Sequence, residues 1–250
     1  MSLSEKISSR INQIQLGVRE RVTGKIVLRR RLPVPHDDHQ TQAEKIFYKR
    51  VLNLALENQT TADVVWDIGC RNWSYAAALA DVFTDARLIG VEVDGRRRYF
   101  NLYRRMDYAA SQASVLSLEG RDSQCLFTDF RNVPVEAALT AGEKTVFCFF
   151  FPFVSANPCL KWGLPLNYAG FHELLKHALH GALVAKAQPT ILSCHQGEWE
   201  AEIALEAYKQ AGLNPKQQIL KAADYAGLWP SSHDIHVLTS GASGAETISS

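Results

Sequence analysis

Two patterns of apolar residues divide the chain near residue 60. Before that point, apolar residues recur at spacings of three and four, which predicts amphipathic helices over 4–21 and 41–58. The stripe of the first helix consists of Ile7, Ile11, Ile14 and Val18. The stripe of the second consists of Ile46, Phe47, Val51, Leu54 and Ala55.

After Asp63, short apolar runs alternate with longer helical patterns, which is typical of βαβ units and a parallel sheet. The predicted strands are 64–68, 87–92, 125–129, 145–150, 190–195, 217–220 and 235–239, the last two pairing with each other. The predicted helices between them are 73–83, 95–109, 171–179 and 199–211. We therefore predict a three-layer α/β/α sandwich with a mostly parallel central sheet of about seven strands.

The distribution of charge and small residues refines this division. Residues 1–50 contain 11 Lys or Arg and 5 Asp or Glu, a net charge of +6 within a chain whose total is +1. The basic, proline-punctuated stretch 29–36 lies in this part and is a candidate surface for an anionic substrate. We predict a helical and basic extension over 1–60, a Rossmann-like domain over 61–240, and a disordered tail over 241–250.

Composition limits the classes of protein to which the chain can belong. No apolar run approaches the roughly 18 residues that cross a bilayer, and residues 1–15 do not have the pattern of an export signal. The five cysteines are scattered without a Cys-x-x-Cys pair, which suits a reducing compartment. We expect a cytoplasmic protein.

Three strand ends carry the residue types of a nucleoside site. The first predicted strand ends in Asp67-Ile68-Gly69-Cys70, and in an open α/β sheet ligands bind at the carboxyl ends of the strands, where a glycine permits close approach. Glu92 ends the second strand 25 residues after Asp67, a position suited to ribose hydroxyls.

The third strand end adds Asp129 and Phe130, which can accept from an exocyclic amine and stack on a purine. We interpret Asp94 as the N-cap of the helix that follows Glu92.

These residues resemble those of the class I S-adenosylmethionine-dependent methyltransferases. Asp67-Ile68-Gly69-Cys70 looks like the start of the family's glycine-rich first motif, and Glu92 looks like its ribose-binding acid. The resemblance covers about 64–239 and implies methyl transfer to an unidentified acceptor with S-adenosylmethionine as cofactor. The cofactor site that it implies consists of Asp67, Gly69, Cys70, Glu92, Val93, Asp129 and Phe130.

The first motif departs from the family pattern after its first glycine. Arg71 and Trp73 occupy the positions of the second and third glycines, so the loop must follow another path, for which Asn72 is our candidate left-handed residue. The Gly-x-Gly-x-x-Gly dinucleotide template is matched only at Gly69. A non-catalytic scaffold is therefore an alternative, and it predicts an occluded first loop.

The fourth strand end is the candidate acceptor site. Some amine-methylating members of the family have an Asp/Asn-Pro-Pro-aromatic tetrad there, whereas this chain has Phe150-Phe151-Pro152-Phe153, without the polar first residue. Phe151, Pro152 and Phe153 are therefore the candidate substrate residues, with no amine specificity. The link 154–168 is a candidate lid over them.

Other functional residues are less well defined by the sequence. A catalytic base is not identified, with Asp129, His172 and His195 all within the pattern. No metal site is expected, although histidines and aspartates cluster at 36–39 and 233–236. A second alternative, RNA or other nucleic-acid modification, rests on the arginine clusters at 29–31, 96–98 and 104–105, the middle one beginning the helix 95–109.

Overall fold

The computed structural model describes residues 39–56, 61–99 and 103–241, together with Ile11 and Ile14, which have helical backbone. The rest of the predicted helix 4–21, the basic stretch 29–36 and the tail 242–250 lie outside the described residues. The predicted division of the chain at residue 60 stays a prediction.

A seven-stranded sheet forms the centre of the protein. Its strands are β1 (Val64–Ile68), β2 (Arg87–Val91), β3 (Ser123–Leu126), β4 (Lys144–Phe150), β5 (Gln188–Gln196), β6 (Lys216–Leu220) and β7 (Ile235–Gly241). Their order is β3-β2-β1-β4-β5-β7-β6. β1 to β5 are parallel, while β7 lies antiparallel between β5 and β6. This is the class I methyltransferase-like arrangement that the sequence predicts.

Helices cover both faces of the sheet. They are α1 (His39–Leu56), α2 (Ala76–Val82), α3 (Arg105–Leu118), α4 (Ala156–Lys161), α5 (Phe171–Ala185) and α6 (Gly197–Gln210). Buried residues of α1, α2 and α3 form one apolar core with the sheet, and those of α5 and α6 form the other. The three predicted layers are therefore confirmed.

Helix α1 belongs to the first of these two layers. Phe47, Val51 and Leu52 are fully buried, and Tyr48 is 1% exposed, whereas Ile46 of the predicted stripe is 44% exposed. The buried stripe thus lies about one residue further along the helix than the sequence pattern suggests. The helix covers the face of the sheet that also carries α2.

The largest error of the sequence prediction lies after β2. The predicted helix 95–109 is wrong, because residues 93–96 form a turn, Arg98 bridges to Arg104, and α3 begins only at Arg105. Asp94 is therefore not an N-cap. Arg104 is the N-cap residue, and the carboxylate of Asp107 accepts its backbone N–H.

Three smaller differences concern element ends. β3 is Ser123–Leu126 rather than 125–129, because Asp129 instead begins a 3₁₀ turn by accepting the N–H of Arg131. Helix α2 begins at Ala76, since residues 71–75 form the loop that follows β1. The link 154–168 contains α4 and is not an open loop.

No helix among the described residues is long and apolar enough to cross a membrane.

We expect Leu52→Ala in the full chain to lower the free energy of unfolding by about 2–5 kcal/mol, because it leaves a cavity beneath α1. Asn53→Ala, at an exposed position of the same helix, is the control and should stay within about 0.5 kcal/mol of wild type. Urea denaturation measures both. Equal stability of the two variants would show that α1 does not contribute to the core.

Candidate functional site

A cavity of about 420 Å³ lies at the carboxyl ends of β1, β2, β4 and β5. Of the predicted cofactor residues, Gly69, Glu92, Val93, Asp129 and Phe130 line it, and so do the candidate substrate residues Phe151, Pro152 and Phe153. Asp67 and Cys70 are fully buried and lie outside the lining. The sheet thus brings together most of the residues that the sequence predicts, although no observation tests their roles.

Asp67 holds the loop after β1 from within the core. Its carboxyl accepts the indole N–H of Trp73 at 2.8 Å and the hydroxyl of Tyr75 at 3.2 Å. Burial raises the pKa of Asp67 from 3.8 to about 7, the charge of Glu92 adds to this shift, and the two hydrogen bonds oppose it. These two donors occupy the carboxyl that the family resemblance assigns to the cofactor.

Trp73 turns into the core rather than into the cavity. It is fully buried, and a Cβ atom added to Gly90, the residue of β2 paired with Asp67, would lie 3.1 Å from its indole ring. Arg71 and Trp73 have φ angles of 55° and 54°, so they, and not Asn72, are the left-handed residues of the loop. A large side chain at the third glycine position therefore leaves the cavity open.

Glu92 fixes the same loop from the cavity side. Its carboxylate accepts the backbone N–H of Arg71 at 2.7 Å and that of Asp94 at 2.6 Å, and the Arg105 guanidinium lies 3.8 Å away. Burial raises the pKa of Glu92, while Arg105 and the two N–H donors lower it. Gly69, with a φ of 84°, has open space where a Cβ would stand. Each oxygen of the predicted ribose acid thus already has a backbone donor, and its contact with a ribose stays a prediction.

Asp129 and Phe130 already have partners within the protein. The Nε of Arg131 lies 3.0 and 3.1 Å from the two carboxylate oxygens of Asp129. Burial raises the pKa of Asp129, but the hydrogen bonds and charge of Arg131 outweigh it and hold the pKa below its usual value. Phe130 is 3% exposed and packs edge-to-face against Phe147 and Phe149. Their contacts to adenine stay predictions.

Two arginines connect the candidate lid, residues 154–168, to Asp94 in the turn that follows β2. The guanidinium carbons of Arg97 and Arg105 lie 5.1 and 4.6 Å from the ring centre of Trp162, which follows α4. Both arginines also bind Asp94, and Arg97 donates to the backbone oxygen of Trp162. Arg105, which pairs with the predicted ribose acid Glu92, thus also contacts Trp162 of the candidate lid.

The candidate bases differ in their positions. His195 is fully buried outside the cavity lining, bonded to Ser193 Oγ at 2.8 Å, and burial lowers its pKa to about 3. His172 also lies outside the lining, paired with Glu173. Glu200, at the start of α6, does line the cavity, and burial raises its pKa.

Several lining residues were not assigned to this site from the sequence. Glu200 and Trp229 lie in different parts of the chain and no local motif marks them, while Arg105 was noted only as part of a basic cluster. Within the described ranges, no group of three or more His, Cys, Asp or Glu can hold a metal ion. Asp234 of the cluster 233–236 instead accepts from Lys221 and from the backbone of Ala222.

Comparison with known proteins gives similarity of structure only. A scan against protein-family models finds no match, and a search of the curated proteins finds none.

Three solved structures illustrate this similarity. An S-adenosylmethionine-dependent methyltransferase from Aquifex aeolicus is 13% identical with a TM-score of 0.48, over 82% of this chain and 94% of that chain. The magnesium protoporphyrin IX methyltransferase of Synechocystis is 11% identical with a TM-score of 0.47, over 94% and 96%. A human methyltransferase 10 domain containing protein is 11% identical with a TM-score of 0.48, over 86% and 85%. At these values the similarities assign no residue role and no activity to this chain.

We expect Asp67→Asn to change how stability depends on pH. Between pH 4 and 7 the unfolded chain has lost the Asp67 proton while the folded protein still binds it, so the contribution of this group to stability falls as the pH rises. The difference between the folded and unfolded pKa values corresponds to roughly 4 kcal/mol of pH-dependent stability. The variant lacks this contribution, because asparagine does not titrate.

Urea denaturation of wild type and variant at several pH values measures this difference. The difference in unfolding free energy between them should vary with pH mainly from 4 to 7. Asp85→Asn, at an exposed position, is the control and should give a flat difference. A flat difference for Asp67→Asn as well would contradict the raised pKa.

We also expect Trp162→Ala to loosen the candidate lid, because the contacts of Arg97 and Arg105 with the indole ring are lost. Contacts of this kind contribute about 0.5–2 kcal/mol, so amide hydrogen exchange over 156–164 should accelerate by about two- to thirtyfold. Trp199→Ala, at a residue that is 57% exposed, is the control. Unchanged exchange over 156–164 would mean that the arginines do not hold this segment.

Proposed function

We propose that the protein transfers a methyl group from S-adenosylmethionine to an acceptor bound at the end of β4. The observation that carries this proposal is the cavity between Gly69, Glu92 and Phe151 at the carboxyl edge of a sheet with an antiparallel β7. Ligands of open α/β sheets bind at this edge. The late antiparallel pair β6–β7 favours a methyl donor over a dinucleotide, as the family resemblance implies.

The residues that would hold the cofactor lie on one wall of the cavity. Glu92 would accept hydrogen bonds from the ribose hydroxyls, Gly69 would allow close approach of the backbone, and Val93 would contact the base, since all three line the cavity. Asp129 would accept an amine hydrogen, with Arg131 holding its carboxylate in place. Asp67 and Cys70 would contribute indirectly, Asp67 through its bonds to Trp73 and Tyr75 and Cys70 through its backbone bonds to Val91 and Trp73. When bound, the cofactor supplies an electrophilic methyl group on a sulfonium.

The open cavity also bears on the scaffold alternative. That alternative predicts an occluded first loop, whereas Trp73 is buried in the core and the space beside Glu92 is open. The geometry therefore supports an enzyme over a scaffold. The nucleic-acid alternative gains no support from Arg97 and Arg105, because both are engaged by Asp94 and Trp162.

We further propose a cytoplasmic location. All five cysteines are free, including Cys70 and Cys125, whose sulfur atoms lie 3.5 Å apart. Reduced thiols at such short range suit a reducing compartment.

Isothermal titration with S-adenosylhomocysteine, the demethylated product, tests the cofactor site. We expect binding to the wild-type chain and a loss of about tenfold or more in affinity for Glu92→Gln, because hydrogen bonds to a charged group contribute about 1.5–3 kcal/mol. Glu119→Gln, at an exposed position of the surface, is the matched control and should bind as wild type does.

A second variant separates binding from loop structure, since Glu92 also holds the backbone of Arg71 and Asp94. Val93→Arg leaves those hydrogen bonds in place, adds bulk to the cavity wall, and should weaken binding as well. Absence of binding to the wild-type chain at millimolar ligand, or equal affinities for the Glu92 and Glu119 variants, would refute the proposed cofactor site.

A further inference from the structure

The part of the cavity beyond the cofactor wall, which we call the outer half, is lined mainly by aromatic rings. Its aromatic residues are Phe151, Phe153, Trp162, Tyr168 and Trp229. Phe151 and Phe153 follow β4, Trp162 and Tyr168 belong to the candidate lid 154–168, and Trp229 lies in the link between β6 and β7. Aromatic walls with a few polar groups are typical of small-molecule sites, and about 420 Å³ lies within their usual range of about 300–1,000 Å³.

Two of these rings are fixed in nearly parallel planes. Phe151 and Trp229 have ring centres 5.2 Å apart and an interplanar angle of 13°. Phe47 of α1 stacks with both rings, 4.9 Å from Trp229 at 12° and 6.2 Å from Phe151 at 19°. Since Phe47 is fully buried, this stack holds Phe151 and Trp229 in place from the core. A guest that contacts these two residues in the cavity therefore meets rings whose orientation is already fixed.

The backbone of Phe151 supports a functional role for this wall. Its φ angle is 56°, a conformation that is strained for an aromatic residue. Its N–H donates to the carbonyl oxygen of Cys194 at 3.0 Å, which ties the strained residue to β5. Strained residues persist where the surrounding structure holds them, and they cluster at ligand sites.

Polar groups accompany the rings, among them the guanidinium of Arg71, whose central carbon lies 6.0 Å from the ring centre of Trp229. The indole N–H of Trp229 is buried and has no hydrogen-bond partner within the part of the chain that the structure describes. Glu200 contributes a carboxylate at the start of α6, where its Oε2 accepts the N–H of Gln196 at 2.9 Å. Glu200 is half-buried among the lining residues of the cavity, and burial raises its pKa.

We infer that the outer half binds a planar aromatic molecule that carries a hydroxyl or ring N–H, with its ring along Phe151 and Trp229 and its donor directed to Glu200. This inference rests on the proposed function in one respect, namely that the bound molecule is the methyl acceptor. The binding itself requires no cofactor.

The test is a calorimetric titration of the full chain with 2-naphthol and with its saturated analogue, decahydro-2-naphthol. We expect 2-naphthol to bind more tightly by about two- to tenfold, because only its rings stack. Trp229→Leu should remove this preference, and Trp229→Phe should retain part of it. Trp199→Leu, outside the cavity lining, is the control and should leave both affinities unchanged.

The polar part of the inference has its own comparison. 2-Methoxynaphthalene lacks the hydroxyl donor, so it should bind the wild-type chain more weakly than 2-naphthol does. Glu200→Gln keeps an acceptor for the Gln196 N–H but removes the charge. It should therefore reduce the difference in affinity between 2-naphthol and 2-methoxynaphthalene.

Several results would overturn the inference: no binding of 2-naphthol at millimolar concentration, equal binding of the saturated analogue, or an unchanged preference in Trp229→Leu. Titration with S-adenosylhomocysteine separates this failure from failure of the proposed function. If S-adenosylhomocysteine binds and 2-naphthol does not, only the proposed class of acceptor is wrong. If 2-naphthol binds with the expected preference and S-adenosylhomocysteine does not bind, the aromatic site stands and the methyl-transfer proposal fails.

Discussion

The buried hydrogen bond from Trp73 to Asp67 determines the shape of the sheet edge on which the whole candidate site depends. It joins a strand end to a side chain six residues later, so the backbone between them must turn sharply, and Arg71 and Trp73 both adopt left-handed conformations. Gly90 favours this packing, because a Cβ atom there would lie 3.1 Å from the indole, closer than most real contacts of this kind. With Trp73 packed in the core, the space between Gly69 and Glu92 stays open. A tryptophan at a glycine position thus completes the core and does not fill the ligand site.

The strand order and the residues at the strand ends could be predicted, because parallel strands bring their carboxyl ends to one edge whatever the loops do. Gly69 and Glu92 were therefore found from the order of the strands, and Phe151 from the family resemblance at the end of the fourth strand. The path of the loop could not be predicted, since it depends on Gly90, 17 residues beyond Trp73 along the chain. The helix 95–109 failed for a related reason: arginine favours helices by propensity, yet Asp94 binds Arg97 and Arg105 and holds the segment in a turn. Trp229 and Glu200 reach the cavity only through the tertiary fold.

Arg105 connects the two halves of the site. It is 6% exposed, pairs with Glu92 and Asp94, and lies against Trp162 of the candidate lid. Its Nε has no hydrogen-bond partner among the residues that the structure describes. One side chain therefore contacts both the predicted ribose acid and the candidate lid.

The charges of the cavity are largely matched within the protein, and this limits what the site can select. Glu92 and Asp94 face Arg105, and Asp129 faces Arg131, so each carboxylate has a cation or backbone donors at hand. Matching of this kind is needed because an unpaired charge in a desolvated site is strongly unfavourable. A ligand consequently gains little from its net charge alone. Discrimination in the outer half must come from ring shape and from the Glu200 carboxylate, which accepts one backbone N–H, that of Gln196.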